Sequence, residues 1–226
     1  MTAMMERRPS PADEELSAIL PKGLPQIELY HGQAVWVMTE LGFRGAVSDR
    51  TFYEYLKSLR KFGIPFEHSS GDATRRELVL YSYFNLMEEA LALTLRVYHV
   101  VPNALLSEVI RYRQSLYRHY RRAYLHRLSG KGSLITVQST GGPTIQMRGL
   151  FLDLQINYSG GHLVSFGPPK ILSPYAAVAT FAEHDLATRA LLPINLSLLA
   201  ERVVALSLRA PPVHRGPRQV ERTGTP

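Results

Sequence analysis

The chain has no cysteine. That excludes a disulfide framework, a thiolate zinc site, an iron-sulfur cluster and a cysteine nucleophile. It also lacks any apolar run near the roughly 18 residues that a membrane-crossing helix needs, so no membrane partner is expected. The opening residues MTAMMERRPSPADEE are too acidic and too rich in proline for a signal peptide, and a soluble, cytoplasmic protein is the expectation. Charged residues make up only 20% of the 226 positions against 45% hydrophobic, which leaves enough apolar material for a core and rules out wholesale disorder. Acidic residues are missing altogether from one stretch. Between Arg111 and Lys131 lie seven basic residues and no Asp or Glu, and since the chain carries +7 in all, the remainder balances at 19 basic against 19 acidic. Any argument for a polyanionic partner is therefore local rather than global.

What is present falls into two halves. Residues 1–26 carry Pro9, Pro11, Pro21 and Pro25 and read as a flexible arm; residues 209–226 hold four prolines and almost no large apolar residue and read as a disordered basic tail. The first half between them is helical in pattern. Gln33 to Leu41 ends at Gly42, and Asp49 to Phe62 starts from a Ser48 or Asp49 cap and stops at Gly63 and Pro65. Val79 to Val101 is Leu- and Ala-rich, and a run from Pro102 to about Leu128 follows. In that run Leu106, Ile110, Arg113, Tyr117, Tyr120 and Tyr124 are spaced 4, 3, 4, 3, 4, the a/d pattern of a coiled-coil seam, with Arg111, Arg118 and Arg122 on the opposite face. After 129–132, where a domain boundary is expected, the pattern becomes short strands: Leu134 to Gln138, Ile145 to Met147, Leu150 to Tyr158 and Leu163 to Phe166, closed by Pro168-Pro169. Helices are expected at Pro174 to His184 and Ser197 to Leu208. The fold class is α+β, with helices in 27–101, a long helix over 102–129 and a small antiparallel-sheet domain with C-terminal helices over 133–208.

Two short helices joined by a turn, the second with Arg50, Thr51, Tyr53, Tyr55, Lys57, Arg60 and Lys61 near exposed positions, form a candidate helix-turn-helix. A solvated charged face on a small helical core gives the same pattern. The order of the whole half resembles the winged-helix DNA-binding domain of the MerR family over about residues 27–126. The resemblance is carried by Gly32-Gln33-Ala34-Val35-Trp36-Val37-Met38-Thr39-Glu40-Leu41-Gly42, by Asp49-Arg50-Thr51-Phe52-Tyr53-Glu54-Tyr55, and by Leu59-Arg60-Lys61-Phe62-Gly63-Ile64-Pro65-Phe66 with the Gly-containing stretch that ends at Arg75-Arg76. It implies a homodimer that reads double-stranded DNA with helix 49–61 and a wing near 67–80. Arg50, Thr51, Tyr53, Tyr55 and Lys57 would meet groove and phosphates, and Arg75 and Arg76 would reach out from the wing. Leu106, Ile110, Arg113, Tyr117, Tyr120 and Tyr124 would pair with a second copy. The turn from Gly42 to Ser48 is longer than is usual in the family.

Three functional classes remain in view. One is a MerR-like transcriptional regulator with a small-molecule or protein effector at the C-terminal domain. Another is an excisionase-like or architectural DNA-binding protein, and the third is a non-enzymatic interaction or ligand-binding adapter. No catalytic residue, metal ligand or cofactor site is expected: the eight His are dispersed, and Ser159-Gly160-Gly161 reads as a hairpin turn. Arg111, Arg118 and Arg122 either contact nucleic acid or solvate the outer face of a dimer helix.

Overall fold

A computed structural model describes residues 23–66, 80–99, 101, 103–128, 135–138, 144–147, 149–159, 162–182 and 189–212. Helices α1 (His31–Glu40) and α2 (Asp49–Lys61) come first, followed by α3 (Tyr83–His99), α4 (Asn103–Ile110) and α5 (Arg113–Leu128). Strands β1 (Ile135–Gln138), β2 (Thr144–Met147), β3 (Phe151–Ser159), β4 (His162–Phe166) and β5 (Lys170–Leu172) follow, then α6 (Pro174–Ala182), β6 (Arg189–Asn195) and α7 (Leu196–Arg209). The α+β class stands. The arm before residue 23, the wing residues 67–79 with Arg75 and Arg76, the boundary at 129–132 and the tail after 212 lie outside the described residues.

Local chemistry explains where the first helices end. In α1 the chain reverses at Gly42, whose φ is 89°, and Gly42 and Phe43 donate to the carbonyls of Thr39 and Met38. In α2 Gly63 takes φ 75°, and Gly63 and Ile64 donate to Arg60 and Leu59. Both are Schellman caps, and in each the residue after the glycine, Phe43 or Ile64, is buried. Helix α3 begins later than the apolar run suggests. Ser82 and Asn85 bond each other reciprocally, Ser82 N–H to Asn85 Oδ1 and Asn85 N–H to Ser82 Oγ, so the N-terminus is fixed at Tyr83.

The run expected as one helix from Pro102 to Leu128 is two. It breaks at Arg111–Tyr112, where Tyr112 N–H turns back to Val109 and its hydroxyl donates to the Phe166 carbonyl in β4. The a/d stripe is likewise reassigned. Leu106, Tyr120 and Tyr124 are fully buried in the chain's own core, Arg113 is buried, and Ile110 and Tyr117 pack against that core. These side chains leave no seam on the surface, which corrects their placement as a dimer interface. Apolar periodicity reports only that a face is covered, and here α3 and α7 help to cover it.

In the larger sheet β3 is central. It pairs antiparallel with β4 through Ile156–Ser159, with β5 through Phe151–Asp153 and with β6 through Phe151–Asn157. Two of these strands, β5 and β6, were not expected from the sequence. β6 carries Pro193, which lacks an N–H and is tolerated at a sheet edge. Ser159 pairs with His162, and the Gly160 and Gly161 of the expected hairpin turn lie outside the described residues. β1 and β2 form a separate two-stranded ladder.

One apolar core runs from Ile27 to Val204. Helix α7 fills it from the far end of the sequence, packing on α5, α3 and α1 through Leu196, Ala200, Val203 and Val204. At its start Ser197 Oγ donates to the Ala123 carbonyl in α5 at 3.0 Å and accepts from Leu150 N–H at 2.9 Å. Gly149 makes this approach possible: its φ is 102°, and a Cβ there would lie 2.8 Å from that of Ser197.

Candidate functional site

Helix α2 is built to present one face. Ser48 caps it by accepting from Thr51 N–H at 3.2 Å, Asp49 sits in the first turn, and Arg60 and Lys61 sit in the last, each sign complementing the helix dipole. Phe52, Leu56 and Leu59 form the buried side. At 3.6 residues per turn, Arg50, Tyr53, Glu54, Lys57 and Lys61 line the opposite side, and all five are exposed. Tyr53 is 46% exposed, and its ring stands edge-on to His31, the first residue of α1, with centroids 6.1 Å apart. Arg44, in the turn between the helices, holds Asp49 at 2.5 Å. Glu54 lies 3.7 Å from Lys57, a solvent-exposed pair of small energy.

Among the expected contact residues, Arg50, Tyr53 and Lys57 therefore stand together on one open stripe. Thr51 is half-buried in the first turn, with its hydroxyl 2.9 Å from that of Ser48. Tyr55 is turned away, half-buried beneath the Arg96 guanidinium of α3 at 4.1 Å from the ring centroid. Arg96 also donates to Ser58 Oγ at 2.8 Å, so Tyr55 and Arg96 hold α2 to α3.

Arg60 is not on the open face either. It is half-buried and bonds His31 and the Tyr81 hydroxyl. Tyr81 exchanges both backbone hydrogen bonds with Leu29, an antiparallel bridge linking the residue before α1's cap to the segment after 67–79. Burial, with help from the Arg60 charge, lowers His31 to about 4. Burial also raises the Tyr81 hydroxyl above its ordinary value. Glu89 on α3 completes the group: burial pushes its carboxyl up to about 7, Arg60 pulls it down, and Glu88 pushes it up. Sequence reading missed this cluster because His31, Arg60 and Tyr81 are 21 to 50 positions apart and share no motif with one another or with Glu89.

A second buried pair fixes α5. Arg113 donates through Nε and Nη2 to the Glu88 carboxylate at 2.9 and 2.6 Å, and through Nη2 to the Gly63 carbonyl at 2.6 Å. Tyr117 donates to the same carboxylate at 3.1 Å. Arg113 was expected in a dimer seam, and it instead ties α5 to α3 and to the cap of α2.

The outer face of α5 is basic. Arg118, Arg121 and Arg122 are exposed and, with Leu125 and His126, line an open depression of about 460 Å³. His119, half-buried beside them, donates to the Pro169 carbonyl at 3.3 Å. Burial lowers its pKa, the Pro169 bond raises it, and the charges of Arg118 and Arg122 lower it.

Among the described residues no helix is long and apolar enough to cross a membrane. No family model, curated protein or solved structure matches the chain.

Proposed function

We propose that the chain is a DNA-binding transcriptional regulator of MerR-like type, reading double-stranded DNA with the outward face of α2. The observation that carries this reading is that face. Arg50, Tyr53 and Lys57 project from one side of a capped helix whose other side is sealed into the core, so they can enter a groove without unfolding anything. The order of elements supports it as well. Helix α1, a glycine-bounded turn and α2 are followed by a segment that returns to pair at Leu29 and Tyr81, where a wing would join the helices. The Arg60 cluster ties α2 to α1 and Tyr55 ties it to α3, giving the reading helix a fixed base. A regulator of this type acts as a dimer, and a second copy would meet this one through a surface other than the buried stripe of α4 and α5.

The test is duplex binding by the full chain, by Arg50→Ala and by Lys57→Ala over a range of salt. Each lost phosphate contact lowers the slope of log K against log salt by about 0.9, and loss of a base contact costs about 1–3 kcal/mol on the preferred sequence. Both substitutions are at exposed positions and leave the melting temperature unchanged. Binding by both variants with wild-type affinity and slope would remove α2 from the interface.

A further inference from the structure

Helix α2 by itself is poorly equipped to hold a polyanion. Of its four basic residues, Arg60 is drawn inward to His31 and Tyr81, and Lys57 lies 3.7 Å from Glu54. The formal excess of the chain sits instead between Arg111 and Lys131. The structure shows how that segment displays it. The inward side of α5 is closed by Arg113, Leu116, Tyr120, Ala123 and Tyr124, while Arg118, Arg121, Arg122 and Leu125 follow i, i+3, i+4, i+7 along the outward side. Among the described residues none of the three arginines is in an ion pair.

We propose that the Arg118–Arg121–Arg122 face of α5 is a phosphate-backbone clamp for duplex DNA, separate from the reading face of α2. Its choice of polyanion rests on the proposed DNA-binding function. The geometry favours an extended partner. The guanidiniums are strung along a helix and open to solvent, where they can meet several phosphates, and they do not converge on an enclosed pocket for one anion. Arg118 and Arg122 are one helical turn apart, about 6 Å, against one phosphate per ~3.4 Å of axis on each DNA strand, so neighbouring phosphates fall within reach of planar, forked donors. An anionic membrane fits less well. An interfacial helix buries a broad apolar face in lipid, and the apolar face of α5 is used up in its own core, with only Leu125, 36% exposed, among the arginines. The positive field of Arg118 and Arg122 is already felt by His119, whose charged form it disfavours.

The experiment titrates the full chain with a pool of random-sequence duplexes over a range of salt, comparing wild type, the triple variant Arg118→Gln/Arg121→Gln/Arg122→Gln and the matching triple Lys variant. The Gln variant keeps much of each stem, and its melting temperature checks the fold. Loss of three contacts lowers the salt slope by about 2.7, so a fourfold rise in salt weakens the Gln variant about 40-fold less than wild type, while the Lys variant keeps the wild-type slope. An unchanged slope in the Gln variant overturns the clamp. So does a Gln variant that loses only its binding to phosphatidylserine vesicles or to an acidic peptide. Arg50→Ala and Lys57→Ala separate the two proposals. If both bind as wild type while the Gln triple loses slope, the clamp stands and the α2 reading falls. The reverse pattern leaves α2 and removes the clamp, and a wild-type chain that binds no duplex removes both.

Discussion

Glu89 lies fully buried, and among the described residues neither carboxylate oxygen has a hydrogen-bond partner. An ionised carboxylate without bonds in such a place costs stability, and the raised value of about 7 expresses that cost. Between its ordinary 4.5 and about 7 the folded chain holds a proton that the unfolded chain has released, so stability falls as pH rises through that window. His31 acts in the opposite sense. Its value is lowered from 6.5 to about 4, so the unfolded chain binds the extra proton there and stability rises with pH between those limits. The two effects offset each other over much of the acid range, and the Glu89 effect continues beyond it. Glu89→Gln is therefore expected to raise the urea midpoint at pH ~8 and to leave it nearly unchanged at pH ~4, where the carboxyl is protonated in the folded and the unfolded chain alike. Equal effects at the two pH values would mean that Glu89 is not the buried acid described. The residue lies beside Glu88 in a Leu- and Ala-rich run, and nothing in the sequence marks either one as buried.

The helices and strands were legible where the chain carries its own stop signals. Ser48, Gly42 and Gly63 mark the ends of α1 and α2, and the structure uses each of them. The break between α4 and α5 has no proline or glycine, so periodicity alone ran through it. Edge strand β6 was hidden by Pro193 and by its position between two helices. The a/d stripe was found correctly as a covered face and assigned to the wrong cover, because 3.5-residue spacing does not distinguish a partner helix from α3 and α7. Of the expected contacts, Arg50, Tyr53 and Lys57 could be placed from the 3.6 period. Tyr55 and Arg60 flank the stripe, and only the packing of α3, His31 and Tyr81 decides which way they turn. Arg113 shows how firmly the elements are tied: it joins α5 to Glu88 and to the Gly63 cap. Arg113→Ala leaves Glu88 buried without its cation and is expected to cost about 3–5 kcal/mol in urea unfolding, whereas the paired change Arg113→Met/Glu88→Leu costs much less. A single substitution costing no more than the double would contradict the pairing.

At the scale of the molecule, the two halves expected from the sequence share one core, because α7 returns across the sheet to pack on α1, α3 and α5. Gln33 in α1 even donates to the Pro211 carbonyl at 2.9 Å, just past the end of α7. Hydrogen bonds join these parts as well, from Ser197 to Ala123 in α5 and from Arg113 of the same helix to Gly63 at the end of α2. Charge is divided from shape in the same molecule. The net positive face belongs to α5, and the face suited to a groove belongs to α2. The central claim is that the α2 face touches duplex DNA, and photo-crosslinking from single positions tests it most directly. A benzophenone side chain in place of Tyr53, on the open stripe, is expected to crosslink to a bound duplex, and the same group in place of Tyr55, under Arg96, is not. Absence of a crosslink from position 53 on a duplex that the protein demonstrably binds would contradict the account.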